Sequence, residues 1–102
     1  SSGAQTFYTL RYKENKWAAT VIQEELKNNL ENTKRVAKPI DHVYVLKYAK
    51  KPGALVEVGF LSNARERQEL ASEEYQDKIA VSVFKGVMRF FTEEPIDEEE
   101  EN

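Results

Sequence analysis

Glu57 interrupts the most apolar short stretch of this sequence. The stretch 52–63 reads PGALVEVGFLSN, and its closely spaced Leu, Val and Phe residues are typical of a buried strand. Burying an unpaired carboxylate costs on the order of several kcal/mol. Two interpretations therefore stay open: Glu57 pairs with a Lys or Arg and stabilises the fold, or it is a catalytic general base or a metal-site residue.

The position of Glu57 makes the chemical interpretation worth pursuing. It lies two residues before Gly59, near the carboxyl end of the predicted strand. Open α/β sheets bind their ligands in the crevice at the carboxyl ends of strands. A half-buried carboxylate at such a position suits general acid–base catalysis.

The single histidine is not expected to bind a metal. His42 has Asp41 beside it, but adjacent side chains on a strand point to opposite faces. A zinc site needs three converging protein ligands. We therefore expect His42 to be a structural or surface residue.

Polar residues also follow the stretch. Ser62 and Asn63 are preferred helix-capping residues, and no Ser–His pair is indicated, so we expect caps rather than a nucleophile and its helper. Arg65 and Arg67 are expected to be surface helix charges, with contact to a substrate carboxylate as the alternative.

Periodicity predicts the elements that position these residues. In chain order they are a strand over 3–10, a helix over 14–32, strands over 42–49 and 54–60, a helix from 62 or 63, and a helix over 72–91. Pro39 is expected to break the pattern before the second strand. The order β-α-β-β-α-α indicates the α/β class.

The last predicted helix has a wide apolar face and should be heavily buried. Its apolar positions are Tyr75, Ile79, Ala80, Val83, Phe84, Val87 and Phe91. We expect its aromatic residues, like Trp17 in the first helix, to pack in the core rather than to stack on sugars. Gly86 costs up to about 1 kcal/mol relative to Ala in a helix, unless close packing needs the room.

The third predicted strand indicates a sheet larger than this chain supplies. Stretch 54–60 is apolar on both faces, as in a central strand covered by helices on both sides. A central strand needs neighbours on each side, and few candidates remain. We therefore expect a fragment of a larger α/β sandwich, with helices on both faces of a central sheet.

Composition excludes several classes. The 102 residues, 40% of them hydrophobic, allow one folded domain, and the absence of Cys excludes disulfides and thiolate metal sites. Neither a membrane span nor a signal peptide is recognised in this sequence. Residues 93–102 hold seven acids, so the remainder carries 15 bases against 11 acids. Nucleic-acid binding is still not expected, because no recognition motif accompanies these bases.

The motifs VEVGFLSN and YQDKIAVSVFKGV, together with GAQTFY near the start, resemble the zinc-dependent N-acetylmuramoyl-L-alanine amidase family (type 3). The resemblance covers nearly all of the chain except the acidic tail, and is nearest to a germination-specific, spore-cortex branch. It implies that residues 1–92 are the C-terminal part of an amidase catalytic domain and that 93–102 are an acidic disordered tail.

This resemblance implies a chemistry and a location. Family members cleave the amide between N-acetylmuramic acid and the L-Ala of the stem peptide, using one zinc ion, and the Glu that matches Glu57 is their general base. Peptidoglycan glycan strand and stem peptide would be the partners, and the parent protein would act outside the cytoplasm, in the cell wall or spore cortex.

The same resemblance implies that this chain is inactive alone. The family's zinc ligands come from His-Gly-Gly, Glu and Ser-x-His-x-Asn segments that precede GAQTFY, and none of these is present. The chain is therefore expected to supply no metal ligand. The alternative is a non-catalytic binding or regulatory module that self-associates through an exposed sheet edge.

Overall fold

The computed structural model describes residues 3–30, 33–59 and 64–95. The elements are β1 (Gln5–Tyr8), α1 (Glu14–Leu30), β2 (Lys38–Pro39), α2 (Tyr44–Lys47), β3 (Leu55–Glu57), α3 (Ala64–Ala71) and α4 (Glu73–Thr92). The α/β class predicted from the sequence is confirmed.

The three strands form one mixed sheet with the order β2-β1-β3. β1 pairs parallel with β2 and antiparallel with β3. The sequence predicts that the strand of Glu57 is central. Among the described residues β1 is central and β3 lies at an edge, so Leu55 and Val56 are only half-buried.

Helix α1 covers one face of this sheet. Its predicted apolar stripe is confirmed, because Ile22 and Leu26 form the core cluster with Ala4, just before β1. Half-buried Val56 of β3 and Val83 of α4 pack around this cluster. The core thus joins the sheet, the first long helix and the last one.

Where β2 does not lie beside β1, side chains form hydrogen bonds with the backbone groups of this strand region. Gln23 of α1 is buried; its Oε1 accepts from the N–H of Thr6 at 2.7 Å, and its Nε2 donates to the carbonyl of Ala4 at 3.1 Å. The hydroxyl of Thr33 donates to the same carbonyl at 3.0 Å. Buried backbone groups need such partners.

Helices α1 and α4 cross closely at Gly86, as the glycine in this predicted helix suggests. A Cβ on Gly86 would lie 2.7 Å from both Cα and Cγ1 of Ile22. Nearby, Nδ2 of Asn29 donates to the hydroxyl of Ser82 at 3.0 Å. Ser72 caps α4 as predicted, accepting from the N–H of Tyr75.

The prediction of a strand over 42–49 is wrong. Residues 44–47 form the short helix α2, and the second strand is the dipeptide Lys38–Pro39. Tyr44 and Tyr48 lie at helical spacing with ring centroids 4.8 Å apart. A proline is tolerated in β2 because this strand lies at an edge and needs no donor there.

The prediction that α4 is heavily buried is also wrong for the described part of the chain. Only Ser82 and Gly86 are buried, and Phe84 and Phe91 are 65% and 76% exposed. The helix packs on α1 and α3 along one side, which leaves its second apolar stripe uncovered. None of the described helices is long and apolar enough to cross a membrane.

Candidate active site

Glu57 is the last residue of β3 and lies at one end of the sheet. Its partner across the antiparallel pair is Gln5, the first residue of β1. The side chain is exposed, not half-buried as the sequence suggests. Its charge therefore stays in water, and the burial cost implied by its apolar neighbours does not arise.

A second carboxylate lies at the same end of the sheet. Gly3, two residues before Gln5, has φ 90°, a conformation that glycine adopts readily. The N–H of Gly3 donates to Oε1 of Glu66 at 2.8 Å. Glu66 belongs to the first turn of α3 and is only 7% exposed. The site therefore combines one exposed and one buried glutamate.

Helices α3 and α4 support the chain directly after β3. The hydroxyl of Tyr75 donates to the carbonyl of Val58 at 3.5 Å. A Cβ on Gly59 would lie 3.4 Å from Cδ1 of Leu70 and 3.7 Å from Cβ of Glu66. The backbone at Gly59 therefore packs directly on α3, which fixes the end of the strand.

Arg35 brings a cation towards the site that local sequence patterns do not indicate. Its Nη1 donates to Oε1 of Gln5 at 3.5 Å, and Nε2 of Gln5 donates to the carbonyl of Val36. Since Gln5 is the register partner of Glu57, the guanidinium contacts a residue neighbouring the candidate base. Arg35 and Gln5 are 30 positions apart in the chain, so the hydrophobic periodicity of the sequence does not indicate this contact.

His42 lies away from Glu57. It follows β2, which is on the opposite side of β1 from β3. Its side chain is 80% exposed, with Nδ1 3.7 Å from a carboxylate oxygen of Asp41. The prediction of a surface histidine is confirmed.

The polar residues after the strand are only partly described. Arg65 is exposed and pairs with Glu69 at 3.3 Å along α3, and Arg67 is exposed too, as surface helix charges would be. The capping roles of Ser62 and Asn63 lie outside the described residues and stay predictions.

The described residues do not by themselves fit a catalytic zinc site. Across 3–30, 33–59 and 64–95 no three His, Asp or Glu side chains form a metal-binding group. Zinc sites need three protein ligands, and the two carboxylates at this end of the sheet are not accompanied by a histidine.

Glu57 thus lies at the carboxyl end of a strand in a mixed α/β fold, the kind of position where open α/β sheets bind ligands. Residues 1–89 match the family described as N-acetylmuramoyl-L-alanine amidase. The chain belongs to this family, which confirms the resemblance seen in its motifs.

Curated relatives extend this result. The germination-specific N-acetylmuramoyl-L-alanine amidase of Bacillus subtilis (strain 168) is 54% identical over 92 residues, which are 90% of this chain and 39% of that protein. The amidase LytC of the same organism is 34% identical over 88% of this chain and 18% of its own length.

Solved structures agree. The CwlD amidase of Clostridioides difficile, solved in complex with the GerS lipoprotein, matches with a TM-score of 0.85 and 39% identity over 92% of this chain and 48% of that one. An amidase of Clostridium difficile 630 shares the fold with a TM-score of 0.82 at 24% identity, over 93% of this chain and 51% of that one. The chain thus spans about half or less of these relatives.

Proposed function

We propose that the protein to which this chain belongs hydrolyses peptidoglycan, at the amide between N-acetylmuramic acid and the L-Ala of the stem peptide. The observation that carries this proposal is the position of Glu57. In a chain of the amidase family, this carboxylate is exposed at the carboxyl end of β3, beside the start of β1.

We assign Glu57 the role of general base. An exposed carboxylate at a strand end can accept a proton from the water that attacks the amide carbonyl, and can later return it to the leaving amine. The chain around it supports this role, since Gly59 and Val58 are held by α3 and α4. A positioned base is worth roughly 10²- to 10⁴-fold in rate.

Zinc dependence is part of this proposal and rests on the family resemblance. The described residues supply no ligand set, so the metal would be held, at least in part, by residues outside those that the structure describes. Zinc in such enzymes supplies Lewis-acid chemistry. Among the described residues, Glu57 is the one to which we assign a catalytic role.

The remaining proposals concern boundaries and location. We propose that residues 1–92 are part of the amidase catalytic domain and that 93–102 form an acidic tail. Within this tail Glu93 still caps α4, through its N–H to the carbonyl of Arg89. Because peptidoglycan lies outside the membrane, we propose an extracytoplasmic protein, with spore cortex as its substrate.

The test is Glu57→Gln in the complete gene product. The amide of Gln has nearly the same shape but cannot take up the proton, so amide cleavage should fall by roughly 10²-fold or more. The measurement is the release of new L-Ala amino termini from purified peptidoglycan, with bound metal determined in parallel.

Glu69→Gln is the matched control. Glu69 belongs to the same helix as Glu66, is half-buried and pairs with the exposed Arg65, so this change should leave cleavage near the wild-type rate. Near wild-type cleavage by the Glu57 variant would remove the assigned role. Absence of cleavage by the wild-type protein would remove the amidase proposal itself.

A second candidate is self-association of this chain as a binding module. It is favoured by the apolar stripe of α4, where Phe84 and Phe91 are exposed, and by β3, which has a free edge among the described strands. Exposed apolar faces and free edges are common association surfaces. The oligomeric state of the chain in solution tests this candidate.

A further inference from the structure

Glu66 is a buried carboxyl side chain whose placement neither the fold class nor the proposed general base explains. The side chain is 7% exposed, and its Oε1 accepts a hydrogen bond from the N–H of Gly3 at 2.8 Å. The two residues are 63 positions apart in the chain. A buried carboxylate is unfavourable unless hydrogen-bond donors compensate it, and the N–H of Gly3 is such a donor.

The place of this contact is more informative than its strength. Gly3 precedes Gln5, which lies opposite Glu57 in the antiparallel pair. After β3, Gly59 follows Glu57 by two residues, and a Cβ on Gly59 would lie 3.7 Å from Cβ of Glu66. One side chain therefore contacts the chain just before β1 and just after β3, at the end that carries the candidate base.

Other buried polar links to β1 come from α1 or from the segment after it, as Gln23 and Thr33 do at Ala4. Asn15 donates to the carbonyl of Thr9 and accepts from the N–H of Gly53, at the far end of β1. This link uses an uncharged amide. Glu66 differs from these links because it reaches the start of β1 from α3, the helix that follows the strand of Glu57.

We infer that Glu66 is a positioning residue, which fixes the start of β1 at Gly3 relative to the end of β3 that bears Glu57. The inference rests on the proposed function, because it concerns the geometry around its general base. Glu66 acts by accepting the hydrogen bond from the N–H of Gly3, and it takes up no proton in the reaction. Misplacement of a reacting group by about 1 Å can cost up to roughly 10²-fold in rate.

Three substitutions in the complete gene product separate reach from charge. Glu66→Gln keeps an acceptor oxygen at the same reach, whereas Glu66→Asp keeps the charge but is one methylene too short for Gly3. We expect Glu66→Gln to retain kcat within a few-fold, and Glu66→Asp to lose roughly tenfold in kcat with KM little changed. Glu66→Ala should lose at least as much as Glu66→Asp.

The remote amide link supplies the control for stability. Asn15→Ala breaks the contacts with Thr9 and Gly53 and should lower the melting temperature, but at the end of β1 away from Glu57 its kcat should stay close to wild type. All rates are measured below the lowest melting temperature of the set. If Glu66→Ala does not fold, the comparison of Gln with Asp still decides.

Two results would overturn the inference. One is a kcat for Glu66→Asp equal to or above that of Glu66→Gln, which would make the charge and not the reach decisive. The other is a loss of kcat in Asn15→Ala that matches the Glu66 variants at equal melting temperature. The proposed function fails separately, through an inactive wild-type protein or a fully active Glu57→Gln variant.

Discussion

Glu57 and Glu66 show how two residues of one type acquire different roles from their surroundings. Glu57 ends a strand at the sheet edge and is exposed, whereas Glu66 is buried against a backbone N–H. The local pattern singles out Glu57, because a carboxylate interrupts an apolar run. It does not single out Glu66, since the partner of that residue lies 63 positions away.

Arg89 is the other residue whose charge is strongly engaged. It contacts Glu24 at 2.9 Å, Glu25 at 3.2 Å and Glu93 at 2.9 Å, and so ties α4 to α1. The hydrogen bond to Glu93 raises the pKa of Arg89 further above its usual high range, with Glu24 adding to it and burial opposing. The guanidinium is therefore charged at every ordinary pH.

We expect Arg89→Met to lower the free energy of unfolding by about 1–2 kcal/mol, because several partly exposed pairs are lost together. A raised pKa means that this contribution is present below the unfolded-state pKa and is lost only at extreme alkaline pH. The difference from wild type should therefore not change between about pH 7 and pH 10. Chemical denaturation of the complete gene product measures it.

Salt and a second arginine provide the controls. In 1 M salt, where the Debye length is about 3 Å, the effect of Arg89→Met should shrink. Arg65→Met removes one exposed pair with Glu69 and should change the free energy of unfolding by less than about 0.5 kcal/mol. Equal effects for the two variants would contradict the importance of the Arg89 network.

At the scale of elements, the crossing of α1 and α4 decides how the helices pack. A glycine within a helix predicts close approach, and at Gly86 the backbone of Ile22 occupies the place of a side chain. The long helices are predictable from sequence because each carries a repeat of apolar residues over many turns. The close approach of α1 and α4 is indicated by Gly86 alone.

Gly86→Ala should therefore destabilise the fold, although alanine is the better helix former. The added Cβ would lie 2.7 Å from Ile22, and overpacking of this kind costs about 1–3 kcal/mol, against a propensity gain of about 1 kcal/mol. We expect a net loss of about 1 kcal/mol in the free energy of unfolding, measured by urea denaturation.

Gly53→Ala is the matched comparison. Its Cβ would meet only Cδ2 of Leu46 at 3.8 Å, an ordinary contact. This change should alter the free energy of unfolding by no more than about 0.5 kcal/mol. If Gly86→Ala were as well tolerated as Gly53→Ala, the close crossing would be wrong.

Short elements were less predictable than long ones, for a physical reason. Stretch 42–49 alternates apolar residues as a strand does, yet Tyr44 and Val45 are each 75% exposed because no layer of the described structure covers them. Helical hydrogen bonds and the Tyr44–Tyr48 contact then determine the conformation. An alternating apolar pattern indicates a buried strand only where another layer of the structure covers the apolar face.

For the whole molecule, the uncovered stripe of α4 is the largest departure from a self-contained domain. Val81, Phe84, Met88 and Phe91 are between 46% and 76% exposed. The sequence indicates that this face is apolar but cannot indicate what lies against it. The chain also spans only 39% of its Bacillus subtilis relative.

We expect the 102-residue chain by itself to self-associate through this stripe. Light scattering after size exclusion should give a molar mass that rises with protein concentration, because apolar faces of this kind drive association. Phe84→Glu should reduce the rise. Asn28→Asp adds the same charge at an exposed position on α1 and should leave it unchanged. A monomer at all concentrations would exclude the self-association candidate.

The hydrogen bonds between Gln23 and β1 limit where a further strand could join the sheet. The carbonyl of Ala4 and the N–H of Thr6 are taken by Gln23, and the carbonyl of Thr6 accepts from the side chain of Gln5. These alternate groups face the same side of the strand. A foreign strand would have to displace side-chain amides there, so this border offers no template for growth. Any extension of the sheet is therefore left to its outer borders, which β2 and β3 form among the described strands.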